Sequence, residues 1–85
     1  MDREIIITNP QGLHARPASA LVEQMKSFDA KVSVEVGAKT ANAASIMSVL
    51  ALGATTGDTA RVTAEGADAQ AALDAVELIL TSEDD

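Results

Sequence analysis

A histidine and an arginine lie two residues apart, just ahead of a segment with helical periodicity. They are His14 and Arg16, followed at once by Pro17. Imidazole titrates near neutral pH, and its neutral nitrogen forms a bond to phosphorus that is labile enough for the phosphoryl group to be passed on. A guanidinium is a planar fork of donors that can hold two phosphoryl oxygens. The pair predicts a phosphoryl site, and the simpler alternative is a solvated histidine in a turn.

The expected place of this pair is the N-terminus of a helix. Backbone N–H groups there have no partner within the helix and lie at the positive end of its dipole, so they attract an anion. Proline suits the first turn because its missing N–H costs nothing there, and Gly12 allows the chain to bend and present the histidine. From Pro17 the apolar residues follow the spacing of an amphipathic helix: Ala18, Leu21, Val22, Met25 and Phe28.

Four segments have the character of strands. The first is rich in isoleucine and ends at the turn formers of residues 9–12, and the second and fourth alternate between apolar and polar residues. Val32, Val34 and Val36 are expected to face inward, and Gly37-Ala38 fits a type II′ hairpin turn. The predicted strands are residues 4–8, 31–36, 39–43 and 59–65.

Two further helices follow the first. Ser45 can cap a short apolar helix that Gly53 ends in the left-handed conformation. Asp68 can cap the last helix, and residues 81–85 form an acidic, frayed end. The order β-α-β-β-α-β-α predicts an α+β fold with a mostly antiparallel sheet and helices on one face, in a single domain over residues 1–85.

Composition excludes several functions. The 85 residues include no cysteine and one histidine, so we expect neither a disulfide, a metal site nor a bound cofactor. A net charge of −7 opposes binding to nucleic acid and to anionic lipid, and Phe28 is the only aromatic side chain available for stacking on a base. The apolar run near the start is too short for a signal peptide or a membrane span, and we expect a cytoplasmic protein.

The segment Gly12-Leu13-His14-Ala15-Arg16-Pro17-Ala18 resembles the active-site motif of the HPr family. These proteins are histidine phosphocarriers of the phosphoenolpyruvate-dependent sugar phosphotransferase system. The likeness extends to Ser45-Ile46-Met47, Leu52-Gly53 and Gly66, and to the element order, and so covers essentially the whole chain.

The resemblance implies an open-faced β-sandwich with four antiparallel strands and three helices. It further implies that Enzyme I phosphorylates His14 on Nδ1 and that IIA proteins or domains then accept the group. Arg16 matches the arginine that steadies the phosphoryl group, and Pro17 matches the proline that opens the helix. The protein is then a monomeric carrier rather than an enzyme.

Ser45 has two interpretations. As a helix cap it contributes about 1 kcal/mol. The resemblance to HPr proteins like those of Gram-positive bacteria implies instead that a dedicated serine kinase phosphorylates it. A phosphate at that helix N-terminus is compatible with the fold and reverses the charge of a docking surface.

A docking surface is also expected from the resemblance. Ile46, Met47 and Leu50 lie on a two-turn helix, which cannot bury every apolar side chain that it carries. The resemblance implies that they dock Enzyme I and the IIA partners, together with the first helix near Ala18 and Ala20. Burial in the core is the alternative, favoured for Val49 more than for Met47.

The partner set stays open. Glu23, Ala44 and Ser48 stand where lysines are common in the enterobacterial branch, so electrostatic steering toward acidic partners is expected to be weaker. The physiological route is sugar uptake, a nitrogen-related branch or a dihydroxyacetone kinase system. A regulatory module acting through Ser45 is the alternative function, and the presence of His14 with Arg16 and Pro17 favours the carrier.

Overall fold

The computed structural model describes residues 1–82 and contains seven elements in the predicted order β-α-β-β-α-β-α. Residues 83–85, which make up most of the acidic end expected over residues 81–85, lie outside the described residues. The strands are β1 Asp2–Ile6, β2 Lys31–Val36, β3 Lys39–Asn42 and β4 Thr59–Glu65, and the helices are α1 Ala15–Met25, α2 Ile46–Ala51 and α3 Ala69–Leu80.

The four strands form one sheet in the order β1-β4-β2-β3, and every neighbouring pair is antiparallel. Val62 of the central strand β4 lies opposite Arg3 on one side and Val34 on the other. Alternate residues of the strands are buried beneath the three helices, while the other face of the sheet is open. The predicted open-faced α+β fold is therefore confirmed.

The bounds of β1 differ from the prediction of residues 4–8. The strand begins at Asp2 and its pairing ends where Ile6 lies opposite Thr59. Ile7 then bonds to the loop before β4, since its N–H donates to the Asp58 carbonyl at 2.9 Å and its carbonyl accepts from the Gly57 N–H at 2.8 Å. The third predicted isoleucine therefore belongs to the loop that leads toward His14.

The hairpin between β2 and β3 has the predicted two-residue turn. Val36 lies opposite Lys39, and Gly37 has φ +61°, whereas within residues 1–82 no residue other than glycine has a positive φ. A positive φ at the first central position alone is the pattern of a type II′ turn. Of the three valines expected to face inward, Val32 and Val34 are buried and Val36 is only half-buried, because it lies at the end of the strand.

The start of α3 corrects one prediction. Asp68 is the N-cap residue, but its side chain makes no cap hydrogen bond. Its Oδ2 instead accepts from the Asp29 N–H at 2.7 Å, and the Asp68 N–H donates to the Asp29 carbonyl at 3.0 Å. The carboxylate thus joins the start of α3 to the loop before β2.

The core lies between the sheet and the helices. The helices α1 and α3 pack on each other, and α1 also contacts α2. Among residues 1–82, no helix has the length and apolarity that crossing a membrane requires. The largest fully buried side chains are Ile7, Leu21, Leu73, Leu80, Val34, Val49, Val62, Val76 and Asn9.

Candidate phosphoryl site at the start of helix α1

His14 is the N-cap residue of α1. Its backbone is extended, with φ −83° and ψ −171°, and its carbonyl accepts the first helical hydrogen bond, from the Ala18 N–H at 3.1 Å. The side chain makes no cap hydrogen bond and is half-buried. The imidazole therefore lies at the helix N-terminus without serving as its cap.

The first turn of α1 favours an anion. It holds Arg16, which is exposed, and Pro17, which is buried, and it contains no acidic residue. The first turn of this 11-residue helix thus adds no carboxylate of its own at the positive end of the helix dipole. His14, Arg16 and Pro17 lie at the start of α1, where the sequence placed them, and the phosphoryl site itself stays a prediction.

Gly12 fixes the approach of the chain to His14. It is buried, with φ +70°, and a Cβ at this position would lie against the backbone of Ala54 and Thr55. The next residue, Leu13, is buried and donates its N–H to the Ala54 carbonyl at 3.1 Å. Residues 9–13, which form the site loop, are therefore packed on the segment that follows α2. Only glycine fits at position 12 in this packing.

Asn9 is a residue of this site whose importance sequence reasoning missed, since the sequence marked it only as a turn former. Its carbonyl accepts from the Gly12 N–H at 3.1 Å and from the Thr56 hydroxyl. Its side chain is buried and donates to carbonyls at the end of α3. Those partners are 70 and 73 residues away in sequence, so no local pattern reveals them.

Ser45 caps α2 as predicted. Its backbone is extended, and its Oγ accepts from the Ser48 N–H at 3.4 Å. The Ser48 hydroxyl in turn accepts from the Asn42 N–H at 3.0 Å, which joins α2 to the end of β3. Ser45 is half-buried, and its hydroxyl serves as the N-cap of α2.

The apolar side chains of α2 divide as expected between core and surface. Val49 is fully buried, whereas Met47 is 74% exposed and Ile46 and Leu50 are each 37% exposed. On α1, Ala20 is exposed, but Ala18 is fully buried. We therefore remove Ala18 from the expected docking surface, because a residue without accessible area contacts no partner.

The comparisons with known proteins all lead to one family. A family model described as the PTS HPr component phosphorylation site matches residues 1–82. The phosphocarrier protein HPr of Haloferax volcanii is 43% identical over 86 residues, which cover 96% of this chain and 94% of that protein. The multiphosphoryl transfer protein of Escherichia coli O157:H7 is 42% identical over 79 residues, 89% of this chain, and the chain spans only 21% of its length.

Solved structures give the same result. The crystal structure of HPr from Bacillus anthracis superposes with a TM-score of 0.90 at 35% identity, covering 94% of this chain and 95% of that one. An HPr dimer from Thermoanaerobacter tengcongensis has a TM-score of 0.71 at 41% identity, covering 88% and 87%. The chain belongs to the HPr family of phosphotransferase-system phosphocarriers.

Proposed function

We propose that His14 accepts a phosphoryl group from phosphorylated Enzyme I and passes it to a IIA protein or domain of the phosphoenolpyruvate-dependent sugar phosphotransferase system. The observation that carries this proposal is the geometry of the α1 N-terminus, where His14 precedes a first turn that holds Arg16 and no acid. Membership of the HPr family supports it. The carrier acts in the cytoplasm, as a monomer, and needs no cofactor.

The chemistry is a reversible transfer. The lone pair of neutral Nδ1 of His14 attacks phosphorus, the bond from phosphorus to the donor breaks, and its electron pair stays on the donor. The acceptor repeats the same step on phosphorylated His14 and regenerates the imidazole. His14 is thus consumed and restored in each cycle, which makes the protein a carrier rather than a catalyst.

Arg16 and the helix N-terminus stabilise the charge that moves. The guanidinium presents paired N–H donors to the phosphoryl oxygens, and the α1 dipole favours negative charge at the same point. Pro17 contributes a fixed φ that suits the first turn. These groups act together on the phosphoryl anion.

The test is incubation of the protein with a cognate Enzyme I and phosphoenolpyruvate, followed by intact mass measurement. We expect the mass of one added phosphoryl group, lost in acid as a phosphohistidine is. His14→Ala is the control and should gain nothing. An unmodified wild-type mass, with an Enzyme I that phosphorylates its own carrier in parallel, would reject the proposal.

The acceptor test distinguishes the possible routes. Phosphorylated protein is offered separately to a IIA domain of a sugar permease, to a IIA protein of the nitrogen-related branch and to a dihydroxyacetone kinase system. Transfer to the sugar IIA, measured as loss of the added mass, is the expected result. Faster transfer to either of the other two assigns the chain to that branch instead.

Docking of these partners is proposed to use the exposed apolar side chains of α2 with the adjoining face of α1. The residues concerned are Ile46, Met47, Leu50 and Ala20. Fully buried side chains such as Val49 have no part in it. This surface adjoins the phosphoryl site through the contact between α1 and α2.

Regulation through Ser45 is the second candidate function. The observation in its favour is that Ser45 Oγ lies at the start of α2, beside the exposed Met47, so a phosphate there alters the proposed docking surface. Incubation with ATP and an HPr serine kinase should add an acid-stable phosphate that Ser45→Ala abolishes. A wild-type protein left unmodified by that kinase argues against this regulation.

A further inference from the structure

Asn9 is the buried polar residue of the described chain, with 1% of its surface exposed. Both hydrogens of its amide are used: Nδ2 donates to the Ile79 carbonyl and to the Ser82 carbonyl, each at 2.8 Å. The neighbouring Thr8 N–H donates to the Leu80 carbonyl at 3.0 Å. Carbonyls at a helix C-terminus lack partners within the helix, so residues 8–9 act as a cap supplied from a distant part of the chain.

The backbone of Asn9 connects this cap of α3 to the site loop. Its carbonyl closes the turn of residues 9–12 by accepting the Gly12 N–H, and it also accepts the Thr56 hydroxyl. Two residues beyond Gly12 lies His14. The end of α3, the loop before β4 and the site loop are therefore joined at one residue.

The burial of Asn9 has a cost that points to the value of its two donors. Its Oδ1 is buried and has no hydrogen-bond partner within residues 1–82. A buried acceptor without a partner loses its hydration with no compensation, which is unfavourable. Against this cost stand the two hydrogen bonds that the side chain donates, to the carbonyls of Ile79 and Ser82.

We propose that Asn9 is a positioning residue for phosphoryl transfer, which holds His14 in its reactive place by tying the site loop to the C-terminal end of α3. The proposal rests on the function proposed above for His14. Thr56 is its second anchor, through the hydroxyl that the Asn9 carbonyl accepts. The end of α3 is then a support of the phosphoryl site and not only a part of the core.

Two near-isosteric changes test this. Asn9→Asp removes both N–H donors and directs oxygen toward two carbonyls, and Thr56→Val removes the hydroxyl at an exposed position where folding is not at risk. Val32→Ala is the matched control, since it leaves a cavity in the core between the sheet and the helices and touches neither anchor. All are compared at a temperature where circular dichroism shows each variant fully folded.

Two measurements are made on each variant. The first is the rate of phosphorylation by Enzyme I as a function of carrier concentration. Because a misplacement of about 1 Å can cost about 100-fold in rate, we expect a fall of about 10-fold at saturation for Asn9→Asp and about 3-fold for Thr56→Val, with KM unchanged. The second is the NMR spectrum of the His14 ring in the unphosphorylated protein, which should shift in both variants and not in Val32→Ala.

The outcomes separate the hypotheses. Wild-type saturating rates and unchanged His14 ring signals in folded Asn9→Asp and Thr56→Val would leave Asn9 a merely structural residue. If Asn9→Asp does not fold, Thr56→Val decides by the same two measurements. If the wild-type protein is not phosphorylated at all, the carrier function fails, and the His14 ring signals still decide whether Asn9 positions the imidazole.

Discussion

Gly12 lies so close to the backbone of Ala54 that a Cβ added to it would overlap the Ala54 carbonyl oxygen. The next N–H along the chain, that of Leu13, donates to the same Ala54 carbonyl at 3.1 Å. The site loop is therefore packed against the backbone of the segment after α2. Any atom added at Gly12 must displace that segment or the loop.

Gly12→Ala should destabilise the protein and misplace His14. The positive φ costs about 1–2 kcal/mol for a residue with a Cβ, and forced overpacking adds about 1–3 kcal/mol. We expect the free energy of unfolding, measured by urea denaturation, to fall by about 2–5 kcal/mol. The rate of phosphorylation of the folded fraction should fall as well.

Gly53→Ala is the matched control for this change. Gly53 has φ +61°, close to that of Gly12, but a Cβ there meets nothing within 4 Å. The free energy of unfolding of Gly53→Ala should therefore fall only by the cost of the positive φ, about 1–2 kcal/mol, and its transfer rate should be normal. Equal losses of unfolding free energy in Gly12→Ala and Gly53→Ala would contradict the role assigned to the packing against Ala54.

Local patterns were sufficient to predict most of the fold. Alternation placed Val32, Val34 and Val62 in the sheet, Ser45 marked the start of α2, and Gly37 set the hairpin turn. Each of these depends on residues within a few positions of one another. The site motif was local too, because the residues that surround the N-terminus of α1 are consecutive.

What sequence reasoning missed depends on residues far apart in the chain. Asp68 begins α3 but its carboxylate binds the Asp29 N–H, 39 residues away, so the expected cap bond is absent from the described structure. Asn9 looked like a turn former until its partners at residues 79 and 82 were known. Ala18 is small enough to suit either face of α1, and only the packing of the helix shows that it is buried.

Met47→Glu should weaken docking without weakening the fold. Met47 is 74% exposed, so its replacement should change the free energy of unfolding by no more than about 0.5 kcal/mol. A charge on an apolar docking surface should raise the KM for Enzyme I by about 10-fold, since the loss of an important interface side chain costs more than about 1 kcal/mol. Steady-state kinetics at varied carrier concentration measure this.

Leu78→Glu provides the matched control for the docking surface. Leu78 is also 74% exposed but lies on α3, away from the residues proposed to dock. Its KM should equal that of the wild type. If both variants raise KM alike, the effect comes from added negative charge on an already acidic protein and not from the surface of α2.

The ion pair of Asp2 and Arg61 predicts a local pH dependence. Arg61 donates to Asp2 Oδ2 at 2.8 Å, and this hydrogen bond, with the charge of the guanidinium, lowers the pKa of Asp2 from its ordinary value of 3.8. A carboxyl with a lowered pKa stabilises the folded state above its unfolded pKa, and the contribution is lost as pH falls through the folded pKa.

Arg61→Gln should therefore raise the pKa of Asp2 toward 3.8. The measurement is an NMR titration of the Asp2 carboxyl carbon between neutral and strongly acidic pH. Arg3→Gln is the control, since Arg3 pairs with Asp74 and Glu77 on α3 and should leave Asp2 unchanged. A pKa of Asp2 that is the same in all three proteins would show that the pair has no electrostatic effect in solution.

The net charge of −7 predicts that salt stabilises the protein. Like charges repel one another in the compact state, and raising the ionic strength from about 0.01 M to about 1 M shortens the Debye length from about 30 Å to about 3 Å. We therefore expect the melting temperature at neutral pH to rise with NaCl. The same series near pH 4.4, where the net charge is close to zero, should show a much smaller rise.

The second series separates repulsion from other effects of salt. Salt that acts by strengthening apolar burial raises the melting temperature at both pH values, whereas screening of repulsion acts only where the chain is charged. The ion pairs of Arg3 and Arg61 are weakened by salt at neutral pH and oppose the trend, so a rise there means that repulsion outweighs them. A melting temperature indifferent to salt at neutral pH would show that the acidic surface has no such cost.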